Sequence, residues 1–320
     1  MMDNNTIFPE HSEHLGEQVY AIDTGFQRPR FDAAYLVVSP EGRAAFIDTG
    51  TNFAVPRLLE TLAALGLARD AVDYVIPTHV HLDHAGGVGL LMQELPRATL
   101  ICHPRGLRHM IDPSQLWAGA SAVYGDEEMQ RSYGKLLPVA AERARASSDG
   151  MSLMLGSREL LFIDTPGHAK HHHCIWDEAS RGWFTGDTFG LSYREFDLPD
   201  GRPWILPTST PVQFEPEALK HSITRLLAQG PERMYLTHYG MVQDVGRLAA
   251  LLDRLIDRMV DVARRAQAER HERIKRDLLA VYVDSLRDIG STLAETEIAR
   301  LLATDIELNA QGLEVWLEKR

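Results

Sequence analysis

Apolar residues recur along this chain with two different periods, and the places where the period changes mark its elements. Short alternating or continuous apolar runs predict strands at residues 19–23, 35–39, 44–48, 73–76 and 98–102, then at 151–155, 159–164, 174–177, 182–186 and 233–237. Helical spacing predicts a helix capped by Thr51 or Asn52, with Pro56 in its first turn, an apolar face of Leu58, Leu59, Leu62 and Leu65, and Gly66 at its end. Further helices are expected at about 86–95 and 216–229, the second closed by Gly230. Strands and helices alternating in this way predict an α/β (α+β) class, with two packed sheets covered by helices.

Two stretches break the alternation. Residues 105–148 contain Trp117, Tyr124, Met129 and Tyr133 at helical spacing, which suits either a lid or a helical excursion packed on the scaffold. From about residue 245 the pattern turns wholly helical: Leu248, Leu251, Leu252, Leu255, Ile256, Met259 and Val262 recur at threes and fours, and shorter helices are expected at 272–289, 295–303 and 310–319. The repeat does not persist through several heptads, which argues against a coiled coil. The division that follows is a polar tail at 1–15, a catalytic domain at 16–244 and a helical extension at 245–320, the last covering part of an active-site mouth or building a homodimer contact.

The run His79-Val80-His81-Leu82-Asp83-His84 packs three imidazoles and a carboxylate into six residues, a donor set suited to zinc, iron or manganese. It follows a strand that Pro77 ends and precedes Gly86-Gly87, so it lies on a strand-to-helix loop. His79 and His81 can point the same way from extended backbone, while Asp83 and His84 lie past the turn and can face a second ion. Three later strands also end in ligand-type side chains: His168 in Thr165-Pro166-Gly167-His168, Asp187 in Thr185-Gly186-Asp187, and His238 in Leu236-Thr237-His238-Tyr239-Gly240. His11, His14, His103, His109, His221 and His271 have no such spacing and read as structural or exposed.

Composition narrows the partners. The formal charge of −12 argues against a nucleic-acid backbone, whose binding needs clustered Lys and Arg. The two cysteines, Cys102 and Cys174, read as buried and exclude a disulfide framework. No apolar run approaches the roughly 20 residues that cross a bilayer, and Met1-Met2-Asp3-Asn4-Asn5-Thr6 lacks the basic and apolar regions of a signal peptide, so no membrane association and a cytoplasmic location are expected.

These blocks, in this order over about residues 16–245, resemble the metallo-β-lactamase-fold hydrolases, whose H-x-H-x-D-H motif is matched by His79 to His84 and whose early I-D-T-G segment is matched by Ile47-Asp48-Thr49-Gly50. The resemblance implies an αββα sandwich and two divalent ions, zinc first, with iron or manganese as alternatives. His79, His81 and His168 would hold one ion, Asp83, His84 and His238 the other, and Asp187 would bridge them. A bridging hydroxide would be the nucleophile and Asp83 a proton acceptor, so that Asp83 and Asp187 carry the catalysis. Asp48 would orient a ligand imidazole from behind, a role in which His172 or His173 could join it. Substrate contacts are expected from Phe189, Tyr193 and Arg194 in the loop after Asp187, and from Tyr239. Arg194 suits either an anionic group or a surface ion pair.

The fold alone does not choose a substrate. Aromatic loops and low basicity point to hydrolysis of a small-molecule ester, thioester or lactone, although the tyrosine that some lactonases carry after the bridging aspartate has no counterpart at Gly190. The alternatives are a mononuclear iron persulfide dioxygenase, and a metabolite-binding protein with weak hydrolase activity.

Overall fold

A computed structural model describes residues 8–266 and 269–319, with the side chains of Val123 and Tyr124 outside the described set. The chain divides into two compact units. The first comprises the residues up to Asp164, His171–Gly186 and Arg233–Met241, and the second Thr165–Lys170, Asp187–Glu232 and the chain from Val242.

The first unit is built on two sheets. One has seven strands in chain order: β1 (Ser12–His14), β2 (Val19–Asp23), β3 (Ala33–Val38), β4 (Ala44–Ile47), β5 (Val72–Ile76), β6 (Thr99–Cys102) and β7 (Ala144–Ala146). Strands β1 to β4 pair antiparallel, and β4 to β7 pair parallel. The second sheet runs β13-β12-β11-β10-β9-β8, from β8 (Ser152–Leu155), β9 (Arg158–Asp164), β10 (His173–Asp177), β11 (Gly182–Gly186), β12 (Arg233–Leu236) and β13 (Gly240–Val242).

The period of two decides what each face buries. Val19, Ala21, Ala33, Tyr35, Val37, Ala45 and Ile47 meet Leu160, Phe162, Ile175, Phe184 and Tyr235 in a core between the sheets. The alternate residues Tyr20, Ile22, Ala34, Leu36, Ala44 and Phe46 face the opposite way. There they pack against Val55, Leu58 and Leu62 of α1 (Val55–Ala64) and against Val88, Leu91 and Met92 of α3 (Val88–Glu94); α2 (Leu82–Ala85) lies between these helices in sequence. Arg158 joins the sheets at one end: its Nε donates to Asp177 at 2.7 Å and its Nη1 to the carbonyls of Glu17 and Val38 at 2.7 and 3.0 Å.

Several expectations are corrected. Ser12–His14, expected as tail, pairs with β2, while residues 1–7 of that tail lie outside the described residues. The interruption at 105–148 contains α4 (Pro104–Ile111), α5 (Ser114–Tyr124) and α6 (Asp126–Ser132), then ends in β7, which pairs with β6. Three-residue strands such as β1 and β7 are too short to show a period, so only their pairing identifies them.

The second unit holds α7 (Pro216–Leu227), α8 (Val245–Arg265), α9 (Arg270–Asp288), α10 (Glu295–Leu301) and α11 (Ala303–Glu318). Leu248, Leu251, Leu252, Leu255, Ile256, Met259 and Val262 of α8 are buried as their spacing predicts. The helical extension shares this unit with the segments around His168 and Asp187. Helix α11 starts seven residues before the expected 310. Among the described residues, no helix is long and apolar enough to cross a membrane.

The stretch after α6 is seated on α3 through a glycine: a Cβ on Gly89 would lie 1.9 Å from the Leu137 carbonyl oxygen. Gly89→Ala is therefore expected to destabilise the chain by about 1–3 kcal/mol, the usual cost of overpacking. Urea unfolding checks this, and an unchanged midpoint would mean that the stretch stands away from α3 in solution.

Candidate metal centre

The ligand-type residues of the first unit stand at the ends of its strands. After β5 the chain bends at Thr78 and His79, and His81 is extended at the N-cap of α2. His79 Nε2 and His81 Nδ1 come within 2.7 Å, so either one nitrogen donates to the other or both offer lone pairs to one electrophile. Asp83 and His84 follow on α2, and His238 comes from the loop after β12. Asp83, His84 and His238 offer ligand atoms that all lie within 4.8 Å of one another. Asp83 Oδ2 is 3.6 Å from His84 Nε2 and 3.5 Å from His238 Nε2. This trio of imidazoles and a carboxylate could hold a metal ion.

What fixes these imidazoles lies behind them. Asp48, in the left-handed region at φ 55, places Oδ2 2.9 Å from His84 Nδ1. The same carboxylate accepts from the Thr78 backbone N–H at 2.7 Å, from the Thr78 hydroxyl at 3.0 Å and from the Thr237 hydroxyl at 2.8 Å. Thr78 Oγ1 also lies 3.2 Å from His79 Nδ1. His238 has a counterpart that sequence reasoning missed: buried Asp32 brings Oδ1 to 2.6 Å from its Nδ1. Burial pushes the Asp32 carboxyl up to about 6, against the pull of the adjacent imidazole. A carboxylate at Nδ1 favours the tautomer whose lone pair is on Nε2. The only signal for Asp32 was its position just before a strand, because its partner lies about 200 residues away.

The histidine row divides its work. His172 stacks on His79 at 4.7 Å between ring centroids, and a Cβ on Gly186 would fall 2.5 Å from His172 Nε2, so that position needs glycine. His173 braces the loop from below: its Nε2 donates to the Pro77 carbonyl at 2.9 Å, its backbone N–H donates to the Thr78 carbonyl, and its Nδ1 accepts from the Ser147 hydroxyl at 2.7 Å. His171 stacks on His79 with rings 6.1 Å apart. His103 caps α4, accepting from the Arg105 N–H, and meets Asp164 at 3.0 Å, the structural role expected of it.

The second unit carries the other two residues. His168 follows Gly167, whose φ of +131° and approach to α7, 2.2 Å from a built Cβ to Leu219 N, exclude a side chain. The Thr210 hydroxyl donates to the His168 carbonyl at 3.1 Å. His168 Nε2 stands 3.2 Å from Asp187 Oδ2, and both residues are buried.

Two of the residues expected to contact substrate are packed inside the second unit. Phe189 and Tyr193 are fully buried, and the Tyr193 hydroxyl donates to Asp305 at 3.0 Å on α11. Arg194 folds back onto the Ser192 carbonyl and hydroxyl, at 2.6 Å each, and pairs with Asp197 at 3.4 Å. Tyr239 belongs to the core between the sheets, with Arg30 5.9 Å from its ring. These aromatic residues hold the loop inside the protein; their composition alone could not distinguish packing from recognition.

The sequence matches the family model of the metallo-beta-lactamase superfamily over residues 28–238. The chain belongs to that superfamily. A metallo-beta-lactamase fold-containing protein of Sulfurisphaera tokodaii is 25% identical over 54% of this chain and 62% of its own length. The chain thus spans about three fifths of that relative. An atrochrysone carboxyl ACP thioesterase of Aspergillus fumigatus is 28% identical over 56% of this chain and 42% of its own length. Among solved structures, a metallo-beta-lactamase family protein of Thermus thermophilus covers 96% of this chain and 95% of its own at a TM-score of 0.65 and 20% identity, which shows a shared fold.

Burial holds the His173 imidazole down at about 3, with the neighbouring His103 adding to the effect. It stays neutral in the folded chain but takes up a proton below its ordinary value of about 6.5 once unfolded. Its contribution to stability is therefore complete above pH 6.5 and is lost as pH falls from there toward 3. In chelated protein, His173→Gln should flatten that acid limb by an amount on the order of a few kcal/mol. Urea midpoints at a series of pH values check this; parallel curves for the two proteins would refute it.

Proposed function

We propose that this chain is a dinuclear metal-dependent hydrolase acting on a small-molecule ester, thioester or lactone. In this reading His79, His81, His168 and Asp187 would hold one ion, with Asp187 shared, and Asp83, His84 and His238 would hold the other. The observation that carries it is the bracing of the imidazoles: Asp48 behind His84 and Asp32 behind His238 leave each Nε2 beside Asp83. The donor set fits zinc, iron or manganese, with nitrogen and oxygen only. Both cysteines are buried, and burial pushes the Cys102 thiol up to about 12.

Bound divalent ions would lower the pKa of water to about 7 and polarise a substrate carbonyl. The chain's part is to hold the imidazoles in one tautomer and to move protons. Asp83 is suited to the second task. Its side chain is 25% exposed, more than the imidazoles beside it, so it can take a proton from the attacking water and pass it to the leaving oxygen or sulfur. Support for an acyl substrate comes from the thioesterase among the relatives and from the chain's net negative charge, which disfavours a polyanion.

The test is metal content of protein purified without added ions, followed by thioester, lactone, phosphodiester and persulfide substrates. Two ions per chain and turnover of a thioester or lactone are expected. One iron with oxygen uptake on a persulfide would replace the hydrolase by a dioxygenase, and no turnover in a loaded enzyme would favour a binding role. Asp83→Asn should lower kcat about 10²–10⁴-fold, the range for a lost general base, without emptying the site. Asp187→Ala should remove both activity and much of the metal; retained activity would contradict the bridging assignment.

A further inference from the structure

Among the described residues of the C-terminal helices no group is placed to hold a metal ion, yet α11 carries a polar residue placed where an apolar one would pack. Asn309 is fully buried. Its Oδ1 accepts from the Ser209 backbone N–H at 2.7 Å, and its Nδ2 donates to the Pro207 carbonyl at 3.2 Å and to the Tyr282 hydroxyl oxygen of α9 at 3.0 Å. Its backbone carbonyl accepts from the Ser209 hydroxyl at 3.3 Å. One carboxamide thus grips the chain on both sides of Thr208. The Thr208 carbonyl lies 3.4 Å from His168 Nδ1, and Thr210, two residues on, donates to the His168 carbonyl. Gly312 allows the close approach, since a Cβ there would fall 2.3 Å from Ser209 Oγ and 2.6 Å from the Thr210 carbonyl oxygen.

We infer that Asn309 is a positioning residue for His168, and that α11 serves to hold this imidazole with its lone pair on Nε2. The inference rests on His168 being a metal ligand. The physical argument is one of tautomer and freedom. An Nδ1–H directed at a fixed carbonyl keeps Nε2 available as a ligand and limits rotation of the ring. Thr208 has that fixed position only while its neighbours are held, and a buried carboxamide with every polar atom paired specifies a position more narrowly than apolar contact does. Bundle stability alone would not require the grip to fall on residues 207–209.

The experiment compares Asn309→Ala, Gly312→Ala and the control Ser285→Ala in the full chain. Ser285 accepts from Trp204 Nε1 at 3.0 Å, so its loss loosens the same unit without touching residues 207–210. Zinc-loaded proteins are dialysed against a graded chelator, zinc per chain is measured, and urea midpoints are taken in parallel. Asn309→Ala and Gly312→Ala are expected to give up one of two ions at about tenfold to hundredfold weaker chelation than the wild type, the usual effect of losing a partner behind a ligand histidine. Ser285→Ala should keep both ions while its urea midpoint falls. If Asn309→Ala does not fold, Gly312→Ala decides by the same readout. Wild-type protein with two ions and variants that hold both as tightly, despite lower midpoints, would overturn the inference alone. Wild-type protein that holds no ion would overturn the proposed function and the inference with it.

Discussion

One carboxylate organises the candidate site of the first unit. Asp48 stands just past the end of β4 and gathers donors from the ends of β5 and β12 and from α2. Two chain segments far apart in sequence, residues 78–84 and Thr237, therefore converge on one pair of oxygens. Its backbone sits in the left-handed region, a conformation that costs an ordinary residue about 1 kcal/mol and that Asp tolerates better than most. A buried carboxylate with four polar contacts gives up little hydrogen bonding relative to water, whereas losing one donor would leave the charge under-compensated. The run from His79 to His84 is thus held from both ends, by Thr78 and by His84.

Much of this was legible in the sequence for a specific reason. The strands are continuous apolar runs because both faces of β2, β3 and β4 are covered, and such runs are visible without an alignment. The ligand blocks sit on short loops where strands end, so spacing alone located them. Pairings that close over long stretches of chain stayed hidden. Asp32 with His238 and Asn309 with Ser209 join residues about 200 and 100 positions apart, and nothing local at either end marks the partner.

The aromatic residues show the opposite failure. Tyr193, Phe196 and Trp204 look like a recognition loop when read in sequence, since they follow a ligand position directly. In the fold Phe196 packs on Trp204 at 5.2 Å and Trp204 on Tyr282 at 6.0 Å, so these rings knit the loop to α9. A large ring buries more area than any other side chain, and a long loop near a functional group needs such anchors to hold its shape. Anchoring and recognition therefore draw on the same residue types, and only burial tells them apart.

The histidines also differ in what stands behind them. Behind His84 and His238 stand carboxylates, which strengthen an imidazole as a donor by stabilising positive charge on the ring. Behind His168 stands a backbone carbonyl, that of Thr208, 3.4 Å from its Nδ1. Imidazoles backed by different acceptors are held in place with unequal firmness, so ligands of one type need not make equivalent sites. The asymmetry lies in the residues behind the ligands, where a motif defined by the ligands alone does not reach.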